Sequence, residues 1–230
     1  RGRRFRTRSD TEVLVAAYEA WGPACVERLN GIFAFALWDP DAGTLMLARD
    51  PLGVKPLYYG AWGGCLYAAS EAKAIVADPR VPRIVDAEAL DHFFHTSYVP
   101  APWAIWQGMR KLRAGERLVV HLRDAPGSLP EPETYYDPPF GRAACPPIGQ
   151  DEALEALDEH LGRAVRRQAV SDVPLGAFLS GGIDSSLVVG YLAEHTDRPV
   201  HTFSVSFEGD PADEAPWARA VAERYGTHHH

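Results

Sequence analysis

Behind Ser9-Asp10-Thr11-Glu12, the apolar residues Val13, Leu14, Ala17, Tyr18 and Trp21 recur at helical spacing. This pattern predicts a helix with Ser9 as its cap, Glu12 reaching back as in a capping box, and Gly22-Pro23 as its stop. Residues 31–38 are apolar on both strand faces, which predicts a strand covered on both sides. Residues 39–43 form a turn and residues 44–48 the return strand of a hairpin. Strand-like pieces follow at 56–59 and 66–69, then a short helix at 86–95 and a strand at 117–121. The first part is therefore an α+β layered pattern.

Residues 123–150 hold seven of the 19 prolines, interspersed with glycine and charged residues. This stretch predicts a linker between a first domain at 1–122 and a second at 151–230. Beyond it the pattern changes. Residues 151–169 form an amphipathic helix with Leu154, Leu157, Leu161 and Val165 on one face. Acids sit in its first turns and Arg163, Arg166 and Arg167 at its end, matching the helix dipole. A strand at 175–179, a Gly-rich turn, a helix at 184–194, a strand at 200–207 and a helix at 213–225 follow. Such alternation means a parallel α/β sheet.

Composition narrows the function classes. The 230 residues are 46% hydrophobic and 23% charged, enough to bury a core and too apolar for a disordered chain. A net charge of −8 offers no overall positive field for phosphate backbones, so no nucleic-acid partner is expected. Five arginines fall within residues 1–8, where a solvated chain end is a better reading than an anion-binding arm. Three cysteines make no disulfide framework, which points to a reducing, cytoplasmic setting. No apolar run reaches the roughly 20 residues of a membrane helix, so no membrane partner is expected.

The strongest chemical signal is Ser180-Gly181-Gly182-Ile183-Asp184-Ser185-Ser186, set between an apolar strand and a helix. Such a turn aims backbone N–H groups and a helix N-terminus at one point, which suits an anion. The glycines permit close backbone approach, and Ser180 and Ser185 add hydroxyl donors. Asp184 would repel phosphate unless a divalent cation such as Mg2+ lay between them. The string is not the common P-loop, which requires a Gly-Lys-Ser/Thr ending. A tight turn capped by Ser and Asp is the plainer alternative.

This string resembles the PP-loop of ATP pyrophosphatases, and residues 171–186 look like glutamine-hydrolysing asparagine synthetases. The resemblance extends over nearly the whole chain. Upstream it includes Ser9-Asp10-Thr11-Glu12, the strand from Leu29-Asn30-Gly31, the 48–59 stretch with Arg49-Asp50-Pro51-Leu52-Gly53, and Ala69-Ser70-Glu71. Downstream it includes Phe203-Ser204-Val205, Asp213-Glu214 and Gly226-Thr227-His228-His229. It implies a truncated class-II glutaminase domain of the N-terminal-nucleophile (αββα) fold, followed by a truncated α/β parallel-sheet PP-loop synthetase domain. The implied reaction adenylates the β-carboxylate of aspartate with Mg-ATP, releases pyrophosphate, and lets ammonia from glutamine displace AMP. Enclosed transfer would keep the ammonia from water.

By the same resemblance, Asp10 matches the acid that pairs with the α-ammonium of glutamine; a dipole-favoured helix-start acid is its plainer role. Ser180, Gly181, Gly182, Asp184 and Ser185 match the pyrophosphate grip, with Asp184 the Mg2+ carboxylate. Leu179 belongs to the same ATP-binding stretch, and Phe178 and Val205 match positions whose backbone groups hold adenine. The implied cofactors are ATP and Mg2+. The implied partners are glutamine and aspartate or another carboxylate acceptor, with a homodimer expected for the parent protein. A β-lactam synthetase-like ligase and a non-catalytic nucleotide-binding remnant are the rival readings.

No catalytic residue is expected within the chain, which reads as an internal fragment. The family's nucleophilic cysteine and Asn-Gly oxyanion pair are expected upstream of Arg1, and the aspartate site beyond His230. Cys25, Cys65 and Cys145 are all internal, and Cys25 and Cys65 are expected to be inert buried thiols. Asn30-Gly31 opens a strand and is not the oxyanion pair. The Arg49 motif is expected to be a rigid turn holding a buried ion pair. His228, His229 and His230 are read as native sequence, with a metal cluster or a tag remnant as alternatives. The remaining histidines show no ligand spacing.

Overall fold

The computed structural model describes residues 4–121, 123, 129–140, 147–196, 198–207, 209–211 and 213–230. Cys145 and part of the expected linker lie outside these residues. The chain divides into two units, residues 1–143 and residues 144–230.

In the first unit, α1 (Asp10–Trp21) starts at Ser9, whose side chain accepts from Thr11 N at 3.2 Å. The expected capping box does not close. Glu12 instead accepts from Arg6 N at 2.8 Å and from Thr7 N at 2.7 Å, while Ser9 N donates to Thr7 Oγ1 at 3.2 Å. Thr7 offers Ser9 a nearer acceptor, so Glu12 organises the incoming chain. A 3₁₀ segment, Gly22–Arg28, follows. The strands are β1 (Ala34–Asp39), β2 (Thr44–Arg49), β3 (Tyr58–Trp62) and β4 (Cys65–Ala69). After α2 (Ala72–Ile75) and α3 (Ala87–Thr96) come β5 (Arg110–Lys111), β6 (Glu116–His121) and β7 (Glu133–Thr134). Two antiparallel sheets result, in the orders β1-β2-β6-β7 and β4-β3-β5. Within the proline-rich stretch, β7 is thus built into the first sheet.

Strand alternation sends β2 into two cores. Met46 and Ala48 pack with Ala17, Cys25 and Val26, whereas Leu47 packs with Leu57, Tyr59, Leu112 and Leu118. Cys25 is 1% exposed, and burial pushes its thiol pKa up, as an inert thiol requires. Cys65 is only half-buried, with its sulfur 3.7 Å from Arg80 Nη1. The expected two-sided covering of β1 is not observed: Ala36 and Trp38 are exposed, and β1 ends the strand order of its sheet.

The turn after β2 also differs from expectation. Arg49 and Asp50 form no ion pair with each other; each satisfies backbone groups instead. Arg49 donates to the carbonyls of Lys55, Gly53 and Leu112 at 2.6–2.7 Å. Asp50, 1% exposed, accepts from the amides of Leu52, Val54 and Lys55 at 2.9–3.2 Å. A seven-residue irregular turn therefore carries its own acceptors and donors in two adjacent side chains.

The second unit opens with α4 (Gln150–Gln168). It continues through β8 (Gly176–Phe178), α5 (Ile183–His195), β9 (His201–Phe203), α6 (Ala215–Tyr225) and β10 (His228–His229). The sheet is parallel, in the order β10-β9-β8. Leu179, Val189, Ala218 and Ala222 form its core. Only the second half of the expected apolar stripe of α4 is covered: Leu161 and Val165 are half-buried, whereas Leu154 and Leu157 are exposed. The helix meets α5 through Gly162 and through Tyr191 Oη, which donates to Asp158 at 2.6 Å.

The strand expected at 200–207 stops at Phe203. His228 and His229 extend the sheet as a third strand, and His229 Nδ1 lies 3.0 Å from Thr202 Oγ1. The rings of His228 and His230 stack on His201, although the sequence showed no partner spacing for it. Among the described residues no group of three or more His, Cys, Asp or Glu side chains is placed to hold a metal ion.

Replacing Asp50 with alanine removes the acceptor of three turn amides, so Asp50→Ala is expected to destabilise the first unit by about 3 kcal/mol. Urea unfolding measures this; an unchanged midpoint would contradict the role given to Asp50.

Candidate functional site

The site is built from the end of β8, the loop 180–182 and the first turn of α5. Leu179, 1% exposed, anchors the loop: its N–H donates to Phe203 O at 2.8 Å, and its carbonyl accepts from Ser204 Oγ. Ser180 Oγ lies 3.0 Å from Ser185 Oγ and accepts from Gly182 N at 3.3 Å. Ser185 Oγ and Ser186 Oγ donate to Gly182 O at 3.2 and 2.7 Å. The hydroxyls thus brace the turn from within. α5 has no side-chain cap, which leaves its N-terminal amides for a ligand or water.

Gly181 has a φ of 79°, and a Cβ there would stand 2.5 Å from Trp217 Cβ and 2.6 Å from Ala218 N. Only glycine lets the loop meet the first turn of α6 at this distance. The stretch between β9 and α6 is held by Asp213, which accepts from Ser206 Oγ at 2.8 Å and from Ala215 N at 3.1 Å. The Ala215 amide first, and then the Ser206 hydroxyl, hold the Asp213 carboxyl below its usual pKa.

Above the loop lies a cleft of about 320 Å³. Of the residues predicted from sequence, Phe178, Leu179, Ser180, Ser185 and Val205 line it. Gly181 and Gly182 form the adjoining turn. Asp184 sits in the first turn of α5, exposed, with its carboxylate free of hydrogen bonds among the described residues. Val205 follows β9, and its backbone has no hydrogen-bond partner among the described residues. Asp10 belongs to the other unit. It is exposed in the first turn of α1, and its Oδ1 accepts from Thr11 N at 2.8 Å.

The cleft also includes Phe203, Ser204, Phe207, Glu214 and Ala215, which were not singled out as site residues. For Phe203, Ser204 and Glu214 the signal lies in the Phe203-Ser204-Val205 and Asp213-Glu214 strings; Phe207 and Ala215 fall outside any string of the resemblance. A second cleft, about 240 Å³, lies in the first unit between Tyr59, Arg110 and Pro132 and contains none of the predicted residues. Among the described residues, no helix is long and apolar enough to cross a membrane.

Comparison with known proteins places this geometry in a family. The family model described as "Glutamine amidotransferase domain" matches residues 1–135, and that described as "Asparagine synthase" matches residues 156–230. The chain is 35% identical to asparagine synthetase [glutamine-hydrolyzing] 3 of Bacillus subtilis, over 100% of this chain and 39% of the relative. It is also 35% identical to a putative asparagine synthetase [glutamine-hydrolyzing] 2 of Methanocaldococcus jannaschii, over 97% of this chain and 43% of the relative. "Amidase chry2" of Gibberella zeae is 30% identical, over 99% and 35%. The chain therefore spans well under half the length of these curated relatives. Among solved structures it is similar to the glutamine phosphoribosylpyrophosphate amidotransferase of B. subtilis, at 19% identity and a TM-score of 0.39, covering 86% of this chain and 40% of that one. With more than half of its residues matched by the first model and the second model following in order, the chain belongs to the glutamine amidotransferase domain family and joins that domain to an asparagine synthase match.

Proposed function

We propose that the chain is part of a glutamine-hydrolysing asparagine synthetase, with residues 1–122 in its glutaminase, 123–150 as linker and 151–230 in its ATP-dependent synthetase. In this reading aspartate is adenylated on its β-carboxylate, pyrophosphate leaves, and ammonia from glutamine displaces AMP. A carboxylate resists amide formation until AMP gives it a leaving group. The parent protein is read as a cytoplasmic homodimer, the compartment resting on the low, odd cysteine count.

The observation that carries this reading is the Ser180–Ser185 turn with its glycine-only approach to α6. The uncapped amides of α5 and the hydroxyls of Ser180 and Ser185 suit the charge of a pyrophosphate. The base is read at the cleft end lined by Phe178, Phe203 and Phe207, where the unpaired N–H and C=O of Val205 offer one donor and one acceptor. Aromatic rings exclude water from a stacked base, and the backbone pair distinguishes its edge. Asp10 is assigned to the α-ammonium of glutamine; its Oδ2 has no partner among the described residues.

The donor set fits Mg2+. Asp184 supplies one free carboxylate beside two hydroxyls, and no larger ligand cluster exists among the described residues. A single protein carboxylate is the usual share when phosphates and waters complete the shell. Bound there, Mg2+ would neutralise phosphate charge and favour pyrophosphate departure. Asp184 would hold it, while the loop amides orient the phosphate chain.

The joint variant Ser180→Ala, Asp184→Ala is expected to lose Mg-ATP binding by at least about tenfold in titration calorimetry. Equal binding by this variant and the wild type would refute the site. Asp213 adds a pH signature. Its folded pKa is depressed, so its contribution is complete above the ordinary carboxylate value near pH 4 and is lost as pH falls through the lower folded value. Thermal unfolding of the wild type is expected to drop more steeply than that of Asp213→Asn as pH falls from about 5 to about 3. Parallel profiles would show that Asp213 does not hold the segment before α6.

A further inference from the structure

Glu214 lines the cleft beside Ser180, Ser185 and Phe207, yet its carboxylate makes no hydrogen bond or ion pair among the described residues. Helix capping does not account for it. α6 has no side-chain cap from Glu214, and the Ala215 amide is already taken by Asp213 Oδ1 at 3.1 Å. Core packing does not account for it either, because the residue is exposed.

Its backbone is nevertheless firmly set. The Glu214 carbonyl accepts from Trp217 N and Ala218 N at 3.0 Å each, and these two residues are the ones that close on Gly181. The Glu214 backbone therefore stands about one helical turn, roughly 5 Å along the axis, from the residues that meet Gly181. Its side chain lines the same cleft as Ser180 and Ser185, which the reading above gives to phosphates. An acid so placed repels phosphate and stabilises only a hydrogen-bond donor or a cation. The cation has its own carboxylate in Asp184. Between the phosphates and the base of a nucleotide lies the ribose, whose hydroxyls are donors of the required kind.

Resting on that Mg-ATP reading, we propose that Glu214 accepts a hydrogen bond from a ribose hydroxyl and selects ribonucleotides over deoxyribonucleotides. The base amine is the less suitable donor. Val205 offers an unpaired backbone pair for the base edge, whereas Glu214 begins the helix whose first turn meets the phosphate loop at Gly181. An acidic acceptor on ribose hydroxyls also serves dinucleotide-binding folds, by the same chemistry.

The test measures binding of Mg-ATP, Mg-2′-dATP, Mg-3′-dATP and Mg-ITP to the 230-residue chain by calorimetry, for the wild type, Glu214→Ala and Glu214→Gln. The wild type is expected to prefer ATP to at least one deoxy analogue by about tenfold. Glu214→Ala should bring that ratio close to one and leave the ATP/ITP ratio unchanged. Glu214→Gln, which keeps an acceptor oxygen, should retain part of the preference and gives the comparison if the alanine variant unfolds. An unchanged ATP/deoxy-ATP ratio overturns the proposal, as does a change confined to the ATP/ITP ratio, which would assign Glu214 to the base. If the wild type binds no Mg-ATP, or binds it equally with Ser180 and Asp184 replaced, the nucleotide reading itself fails and the ribose contact with it.

Discussion

Where Gly181 lacks a side chain, the backbone of α6 occupies the space a Cβ would need, 2.6 Å from Ala218 N. The rest of the candidate site hangs on this contact. Ala218 is fully buried in the core with Leu179, Val189 and Ala222, so α6 cannot withdraw without opening that core. The loop is pinned from its other side by Leu179, bonded to Phe203 and Ser204. Between these two anchors the path of residues 180–182 is determined, and with it the direction in which α5 presents its first amides. A larger residue at 181 would force α6 outward and carry Asp213 and Glu214 with it. The loop glycine is thus a packing requirement as well as a conformational one.

The first unit meets the same problem of irregular backbone by other means. Its turn after β2 has no helix to lean on, so two charged side chains serve as acceptor and donor for six backbone groups. Sequence inspection naturally pairs neighbouring Arg and Asp with each other. The structure shows why that pairing loses: three amides converge on Asp50 at 1% exposure, and leaving them unmet in a buried turn costs more than an ion pair would return.

Elements governed by local chemistry were legible in the sequence. The helix stops at Gly22, the turn at 39–43, the strand–loop–helix around Ser180 and the parallel alternation of the second unit all follow from residue type and spacing. What was not legible depended on which partner arrived. Thr7 displaced Glu12 from Ser9, an outcome that turns on a one-residue competition for a single amide. Leu154 and Leu157 make a regular stripe, but α4 is held by Gly162 and Asp158 against α5, and no periodicity encodes that choice. The site shows the same division. Ser180 to Ser185 form one contiguous string, while Glu214, at the start of α6, joins the cleft where Gly181 lets that helix come close.

The electrostatics of the cleft follow from this assembly. No Lys or Arg lines it among the described residues; the ionisable residue that does, Glu214, is acidic, as is Asp184 in the first turn of α5. Among the described residues, no side-chain cation lines the cleft to hold a polyphosphate. The available positive potential is that of backbone: the uncapped N-terminus of α5 and the amides of the glycine turn, oriented in advance and losing no side-chain entropy on binding. Such dipoles offset part of a polyphosphate's charge and fall off within a turn of helix, which is why the proposed reading adds a divalent cation at Asp184. Two acids in an anion site are then complementary features. In the proposed reading Asp184 faces a cation that lies between it and the phosphates, and Glu214 faces the stretch where the ligand turns from charged phosphate to neutral sugar.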